Sequence, residues 1–384
     1  MTVKELLGLM AQSNASDLYL TVDSPPMFKT EGVIKPYGNA SLNAHQAEDI
    51  ANSLMNARQK AIFAETYEMN LALYYPDIGR FRVNIFRQKS YVGLVFRMIK
   101  MEIETIDDLN LPTILKDISL TKRGLVLMVG GTGTGKSTTM AAMVDYRNTS
   151  TTGHIVTIED PVEFVHRHKK CIISQREVGM DTHNYANALK NTMRQAPDVI
   201  QLGEIRDAET MEAAIAFSET GHLCISTLHA NNANQAIERI MNFFPHEKHN
   251  QIYFQLSLNM RAFISQRLIP TVDNKRIAAV EILIDTPRVK DLIMKRKIDV
   301  LKEAMTAGTE EGMQTFDQGI FRLYKENKIT YENALAYSDS ANDLRLKIKI
   351  DKVGGTPNES ELMTEDKGEE EKSFRLKADG AQEY

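Results

Sequence analysis

The stretch from Gly124 to Ser137, GLVLMVGGTGTGKS, constrains this chain more than any other, because an apolar strand runs directly into a glycine-rich loop that ends in Lys-Ser. Gly130, four intervening residues, Gly135, Lys136 and Ser137 satisfy the phosphate-binding loop pattern. Glycines let the backbone turn tightly so that successive N–H groups point inward at phosphate oxygens. The loop Gly130, Gly131, Thr132, Gly133, Thr134, Gly135, Lys136, Ser137 and Thr138 is therefore the expected nucleotide cradle. Lys136 is placed to neutralise the β and γ phosphates of ATP, and the Ser137 hydroxyl to coordinate Mg²⁺. The residues that follow, TTMAAMVDYRN, continue as a helix whose N-terminus adds positive partial charge beside the phosphates.

A fold that uses this loop needs a parallel sheet, and the sequence past residue 115 has the alternation of strands and helices that builds one. GLVLMV, HIVTIED, DVIQLGE, HLCISTLH and AAVEILI read as strands; NYANALKNTMRQA, AETMEAAIAFSET and NQAIERIMNFF read as helices. The central strands are continuous apolar runs, as strands covered on both faces must be. From Pro270 onward helices dominate: TPRVKDLIMKRKI, GMQTFDQGIFRLYKEN and TYENALAYS.

Residues 1–100 read as a separate, smaller α+β unit. A short helix at Val3 to Ser13 precedes strand signals at DLYLTV and PMFKTEGVIKPYG, and one polar helical stretch follows from Asn43 to Glu65. GRFRVNIFRQ and YVGLVFRMI then alternate at period two around a Lys-Ser turn, which predicts a β-hairpin. Phe81, Val83 and Ile85 take one face, so Arg80, Arg82 and Asn84 take the other. Residues 101–114 are expected as a linker and 115–350 as the nucleotide-binding domain.

The whole-chain net charge of −5 is accounted for by the C-terminal stretch from Asp351, which holds ten acidic and five basic residues. That stretch, 351–384, has little apolar content and reads as a disordered tail. The rest of the chain is neutral, which gives no sign of nucleic-acid binding. Two cysteines, Cys171 and Cys224, sit in apolar segments far apart and read as free buried thiols. No window reaches the roughly 18 apolar residues of a membrane span, and the N-terminus lacks a secretory signal pattern, so a cytoplasmic protein is expected.

Hydrolysis requires carboxylates near the attacking water and the metal, at the C-terminal ends of parallel strands. HIVTIEDPVEF offers Glu159, Asp160 and Glu163; DVIQLGEIRD closes an apolar run with Glu204, where Gly203 stands in place of the usual aspartate. Asp160 and Asp207 also suit loop and helix-capping roles. In HLCISTLH the flanking His222 and His229 are separated by roughly 23 Å of strand and cannot share a ligand. His229 lies at the phosphate end, where it suits a hydrogen bond to the γ-phosphate; His222 lies at the opposite end.

The phosphate loop, TIEDPVEF, the Gly-Glu strand end and GHLCISTLHANN, in that order and after a β-rich N-terminal unit, resemble the secretion and pilus ATPase superfamily. Within it the segment TIEDPVEFVHRHKKCIISQREVG is similar to type IV pilus retraction ATPases. The resemblance covers about residues 1–345. It implies a PAS-like N-terminal domain, a RecA-like ATPase domain and a homo-hexameric ring, peripheral to the membrane, with ATP and Mg²⁺ between subunits. It further implies that Glu163 is the general base, that Glu204 serves Mg²⁺ through water, and that arginines reach the phosphates from the N-terminal domain; Arg80, Arg82 and Arg97 are the matches. Implied partners are a principal retraction ATPase and an inner-membrane platform protein at the pilus base. After Thr286-Pro287 the principal motors carry AIRNLIRE, whereas this chain has Arg288-Val289-Lys290-Asp291-Leu292-Ile293-Met294-Lys295. That departure and the acidic tail resemble the accessory type, and the altered segment keeps open a second reading: a non-motor scaffold or regulator of the principal ring. A DNA-translocating ATPase is disfavoured by the neutral charge balance.

Overall fold

The computed structural model describes residues 2–99 and 101–353, and the chain there forms two sheets with helices around each. The first sheet comprises β1 (Asp17–Leu20), β2 (Met27–Thr30), β3 (Val33–Pro36), β4 (Glu68–Tyr75), β5 (Gly79–Gln88) and β6 (Tyr91–Ile99). It runs β3-β2-β1-β6-β5-β4, and every pairing is antiparallel. The β5–β6 hairpin turns at Lys89 and Ser90, both with positive φ, as tight hairpin turns require. Alternation along β5 buries Phe81, Val83 and Ile85 and leaves Arg80, Arg82 and Asn84 half-buried on the other face.

The second sheet contains β7 (Gly124–Val129), β8 (Gly153–Glu159), β9 (Cys171–Glu177), β10 (Val199–Leu202), β11 (Leu223–Leu228), β12 (Met260–Pro270) and β13 (Arg276–Ile284). Its order is β13-β12-β7-β11-β10-β8-β9, parallel throughout except for the β12–β13 pair. β7 is fully buried at the centre. Leu125, Leu127 and Val129 face a core shared with the helices Ala208–Glu219 and Ala233–Asn242. Val126 and Met128 face a second core with Met140, Met143 and Val144 of the helix Lys136–Ser150. Both faces of the strand are dry, which is why GLVLMV has no polar alternation.

Two expectations are corrected, and four elements are added. The stretch Asn43 to Glu65 is two helices, Ala44–Leu54 and Ala57–Thr66, because Met55 is extended and Asn56 caps the second with Gln59. EMNLALYY forms β4, and CIISQRE and MRAFISQRLIP form β9 and β12, which are strands not expected from periodicity. The helix His249–Asn259 was likewise unmarked; no side-chain cap closes its start. Glu163 does not end a strand: β8 stops at Glu159, and Glu163 stands four positions on, in the loop beyond.

The segment 101–114 does not hang free. Ile106 and Leu111 are buried in the core that holds Val126 and Met128. The helix Ala341–Val353 runs three residues into the acidic stretch, and the remainder, 354–384, lies outside the described residues.

Candidate nucleotide site

The phosphate loop, Glu163, Glu204 and His229 each follow the C-terminal end of a parallel strand. The loop after β7 supplies the phosphate cradle, the segment after β8 supplies Glu163, and β10 and β11 are followed by Glu204 and His229. The sheet order sets β11 and β10 between β7 and β8, so these ends converge on one cleft. Thr132, Gly133, Lys136, Ser137, Glu163, Glu204 and His229 all line it.

The loop is shaped by its own contacts. Gly135 has φ 85° and leads straight into the helix Lys136–Ser150, whose N-terminal N–H groups therefore open on the cleft. Thr134 Oγ1 donates to Gly131 O at 3.0 Å, closing the turn. Lys136 Nζ donates to Gly130 O at 2.9 Å and Gly131 O at 2.7 Å, so the buried ammonium is held inside the loop by carbonyls. Burial lowers its pKa, and the Glu204 and Glu163 carboxylates work against that shift.

Glu204 is the junction of the cleft. Its Oε2 lies 3.1 Å from His229 Nε2, and its Oε1 accepts from Arg206, which also lies 3.8 Å from Asp160. Arg206 therefore ties the β10 end to the β8 end, a contact missed in the sequence although GEIRD sets the arginine two residues past the glutamate. Gly203 packs closely on the β8 end: an added Cβ would lie 3.3 Å from Glu159 Cα, so a larger residue there needs that end to shift by a few tenths of an ångström. Thr227 Oγ1, on β11, donates to Gly203 O at 2.9 Å and ties the β10 end to β11. Behind them Glu159 is buried, its pKa raised by burial, against which hydrogen bonds from Thr157 and Gln175 work. His166 and Gln201 also line the cleft, and His166 Nδ1 and Gln201 Oε1 are buried without a hydrogen-bond partner.

A second cleft of about 690 Å³ opens behind the loop, lined by Gly135, Thr138, Thr139, Leu111 and Leu268 among others. Its size suits a small molecule. Gln266 on β12 forms part of the wall: its Nε2 donates to Thr134 O at 2.8 Å and its Oε1 accepts from Thr139 Oγ1 at 2.8 Å. Neither Gln266 nor this cleft was legible in the sequence, because 132 positions separate Thr134 from its partner. Gly131 and His229 also border a third, shallower cleft with Gln235, Glu238 and Arg239.

The N-terminal arginines are not in these clefts. Arg82 and Arg97 are register partners across β5 and β6 and share the half-exposed face of the first sheet with Arg80. Arg97 Nε donates to the buried Asp17 at 2.7 Å, whereas Arg80 and Arg82 hold no hydrogen bond or ion pair among the described residues. His222 precedes β11, at the opposite strand end from His229, its Nδ1 3.0 Å from Thr220 Oγ1, beside a surface hollow with Arg147 and Asp198. Asp207 caps the helix Ala208–Glu219 through Thr210. Both cysteines are free and buried. No helix among the described residues is long and apolar enough to cross a membrane.

Known proteins share much of this sequence and this fold. Residues 106–367 match the family described as type II/IV secretion system protein. The type IV pilus ATPase PilU of Pseudomonas aeruginosa is 53% identical over 351 residues, covering 91% of this chain and 92% of the relative. The chain belongs to the type IV pilus ATPase family. The type IV pilus retractation ATPase PilT of the same organism is 40% identical over 87% of this chain and 97% of its own length. The crystal structure of the pilus retraction motor PilT with bound ADP superposes with a TM-score of 0.84 at 37% identity, over 90% of this chain and 99% of that one. As a pilus ATPase the chain is a nucleotide-binding enzyme, with a RecA-like parallel-rich sheet preceded by a smaller α+β sheet.

Proposed function

We propose that the chain is a hexameric motor that hydrolyses ATP to drive type IV pilus retraction, as an accessory to a principal retraction ATPase. The observation that carries this reading is the convergence of Lys136, Ser137, Glu163, Glu204 and His229 on one cleft. In this scheme Lys136 leaves its loop carbonyls to meet the β and γ phosphates. Glu163 takes the proton of the attacking water, and its exposed position in the cleft leaves room for that water. His229 exchanges its contact with Glu204 for one with the γ-phosphate, so that phosphate occupancy is felt at Glu204. Ser137 and Glu204, with Glu163 beside them, are oxygen donors that would hold Mg²⁺, a hard cation that would supply charge neutralisation at the phosphates. The second cleft, adjoining Gly135 and Thr138, is assigned to the base and ribose.

Arg80, Arg82 and Arg97 are assigned to the site of an adjacent subunit, where a guanidinium offsets charge on the transferred phosphoryl group. Two arginines with no hydrogen bond or ion pair among the described residues, on a half-buried sheet face, support this, as does their absence from the linings of their own chain's clefts. Contacts to one nucleotide from both sheets of different subunits bias the angle between the two units, which become PAS-like and RecA-like domains joined at 101–114. The ring is placed at the cytoplasmic face of the inner membrane, against the pilus platform protein. The similarity to PilU over nearly the whole chain supports the accessory assignment.

Lys136→Ala should abolish ATP binding, whereas Glu163→Gln should keep binding and lose turnover by about 10²-fold or more. Steady-state ATPase assays beside binding of a fluorescent ATP analogue check both; wild-type turnover in Glu163→Gln would remove the base assignment. Pilus retraction in cells carrying Lys136→Ala separates motor from scaffold, since unimpaired retraction force there favours the scaffold.

A further inference from the structure

β9 is an edge strand whose alternation changes character along its length. Cys171 and Ile173 point into the apolar core, and the next two residues of that face are Gln175 and Glu177. Both turn their polar atoms onto the backbone of the loop that carries Glu163. Glu177, only 2% exposed, accepts from Val162 N–H at 3.2 Å. Gln175 Oε1 accepts from His166 N–H at 2.8 Å, and its Nε2 donates to Phe164 O at 2.8 Å and to Glu159 Oε1 at 3.2 Å. The three loop groups come from every second residue, and their partners are two apart on β9 in the opposite direction. Two side chains thus stand in for the neighbouring strand of an antiparallel ladder. The ladder fixes which loop side chains turn inward: Val162 and His166 are buried, and Glu163 between them is left in the cleft.

We propose that Gln175 and Glu177 are positioning residues for hydrolysis, a splint that holds the Asp160–His166 loop in the one register that presents the Glu163 carboxylate to the γ-phosphate. This rests on the reading of Glu163 as the general base. A catalytic group works only within a few tenths of an ångström of its productive place, and that precision comes from the shell behind it. Neither splint residue contacts the phosphate loop, so its loss should spare nucleotide binding.

The test uses full-length protein. Gln175→Met and Glu177→Met, of similar length but without polar atoms, should each lower kcat by about tenfold or more, with affinity for a fluorescent ATP analogue changed by less than about twofold. Glu177→Gln keeps an oxygen for Val162 N–H and should restore most of kcat. In a Glu163→Gln background the Met substitutions should cost little more, since the residue they position is already disabled. Wild-type kcat in both Met variants overturns the proposal, as does a parallel fall in affinity and kcat, which would mark a general loss of structure. If Gln175→Met does not fold, the Glu177 pair decides: Gln as slow as Met overturns the splint. Should Glu163→Gln alone turn over at the wild-type rate, the base reading falls, and the splint is then judged by the split between kcat and affinity.

Discussion

At the scale of single residues, the site depends on groups with no room to move. Gly135 has φ 85°, and a Cβ there would lie 2.7 Å from Gln266 Nε2, the amide that ties Thr134 to Thr139. Gly135→Ala therefore meets backbone strain of about 1–3 kcal/mol together with a displaced amide. ATP affinity should weaken by about tenfold or more, as read by analogue titration. His166 supplies a pH dependence. Burial pushes its pKa down to about 4 from the ordinary 6.5, with Asp145 opposing and Lys169 adding to the shift. A depressed folded value means that the neutral ring stabilises the fold above pH 6.5, and that this contribution is lost as pH falls toward 4. Its size is on the order of 3 kcal/mol. The buried Glu159 and Glu281 have raised values and act in the opposite sense, favouring the fold at low pH. His166→Leu should flatten the loss of stability between pH 6.5 and 4 in urea titrations; an unchanged slope would assign acid sensitivity elsewhere.

Elements carry the next layer of the argument. The helix Ala208–Glu219 begins four residues after Glu204, and its start is fixed by Asp207, whose Oδ1 accepts from Thr210 N–H at 2.9 Å and from its hydroxyl at 2.8 Å. Asp207→Ala should cost about 1 kcal/mol, seen as a fall in Tm of about 2–4 °C. β9 shows why elements differ in legibility. β7 and β5 were readable because each has one simple pattern, continuous apolar or strictly alternating. CIISQRE switches from apolar to polar on its inner face halfway along, since its second half contacts a loop instead of a hydrophobic core. β12 was obscured differently: MRAFISQRLIP buries Ser265 against Glu281 and Gln266 against the phosphate loop, so polar residues occupy core positions. Of these residues, Gln175, Glu177 and Gln266 are the ones that brace the site loops.

For the whole molecule the central prediction concerns completion of the site by a neighbour. A chain with Lys136→Ala has no working nucleotide site but keeps its arginine face, whereas Arg82→Ala keeps its own phosphate loop and loses the arginine. If the arginine acts in trans, mixing the two inactive proteins before assembly should yield rings with some intact composite sites. ATPase activity in the mixture should then exceed that of either protein alone by about tenfold or more. Activity that never rises on mixing would place Arg82 in its own chain's chemistry or outside it. Arg97 is a poorer test, because its contact with buried Asp17 gives it a part in the sheet itself.

The sequence alone determined the phosphate loop, the order along the chain in which Glu163, Glu204 and His229 follow their strands, and the arginine-bearing hairpin. Each is a local pattern, in which spacing along the chain sets spacing in space. Tertiary structure decided what holds those groups in place: Gln266 on the loop, Arg206 between Glu204 and Asp160, Gln175 and Glu177 behind Glu163, and the second cleft beside Leu111. These contacts join different strands and loops of the sheet, and no period in the sequence encodes which side chain will meet which backbone once the strands are ordered.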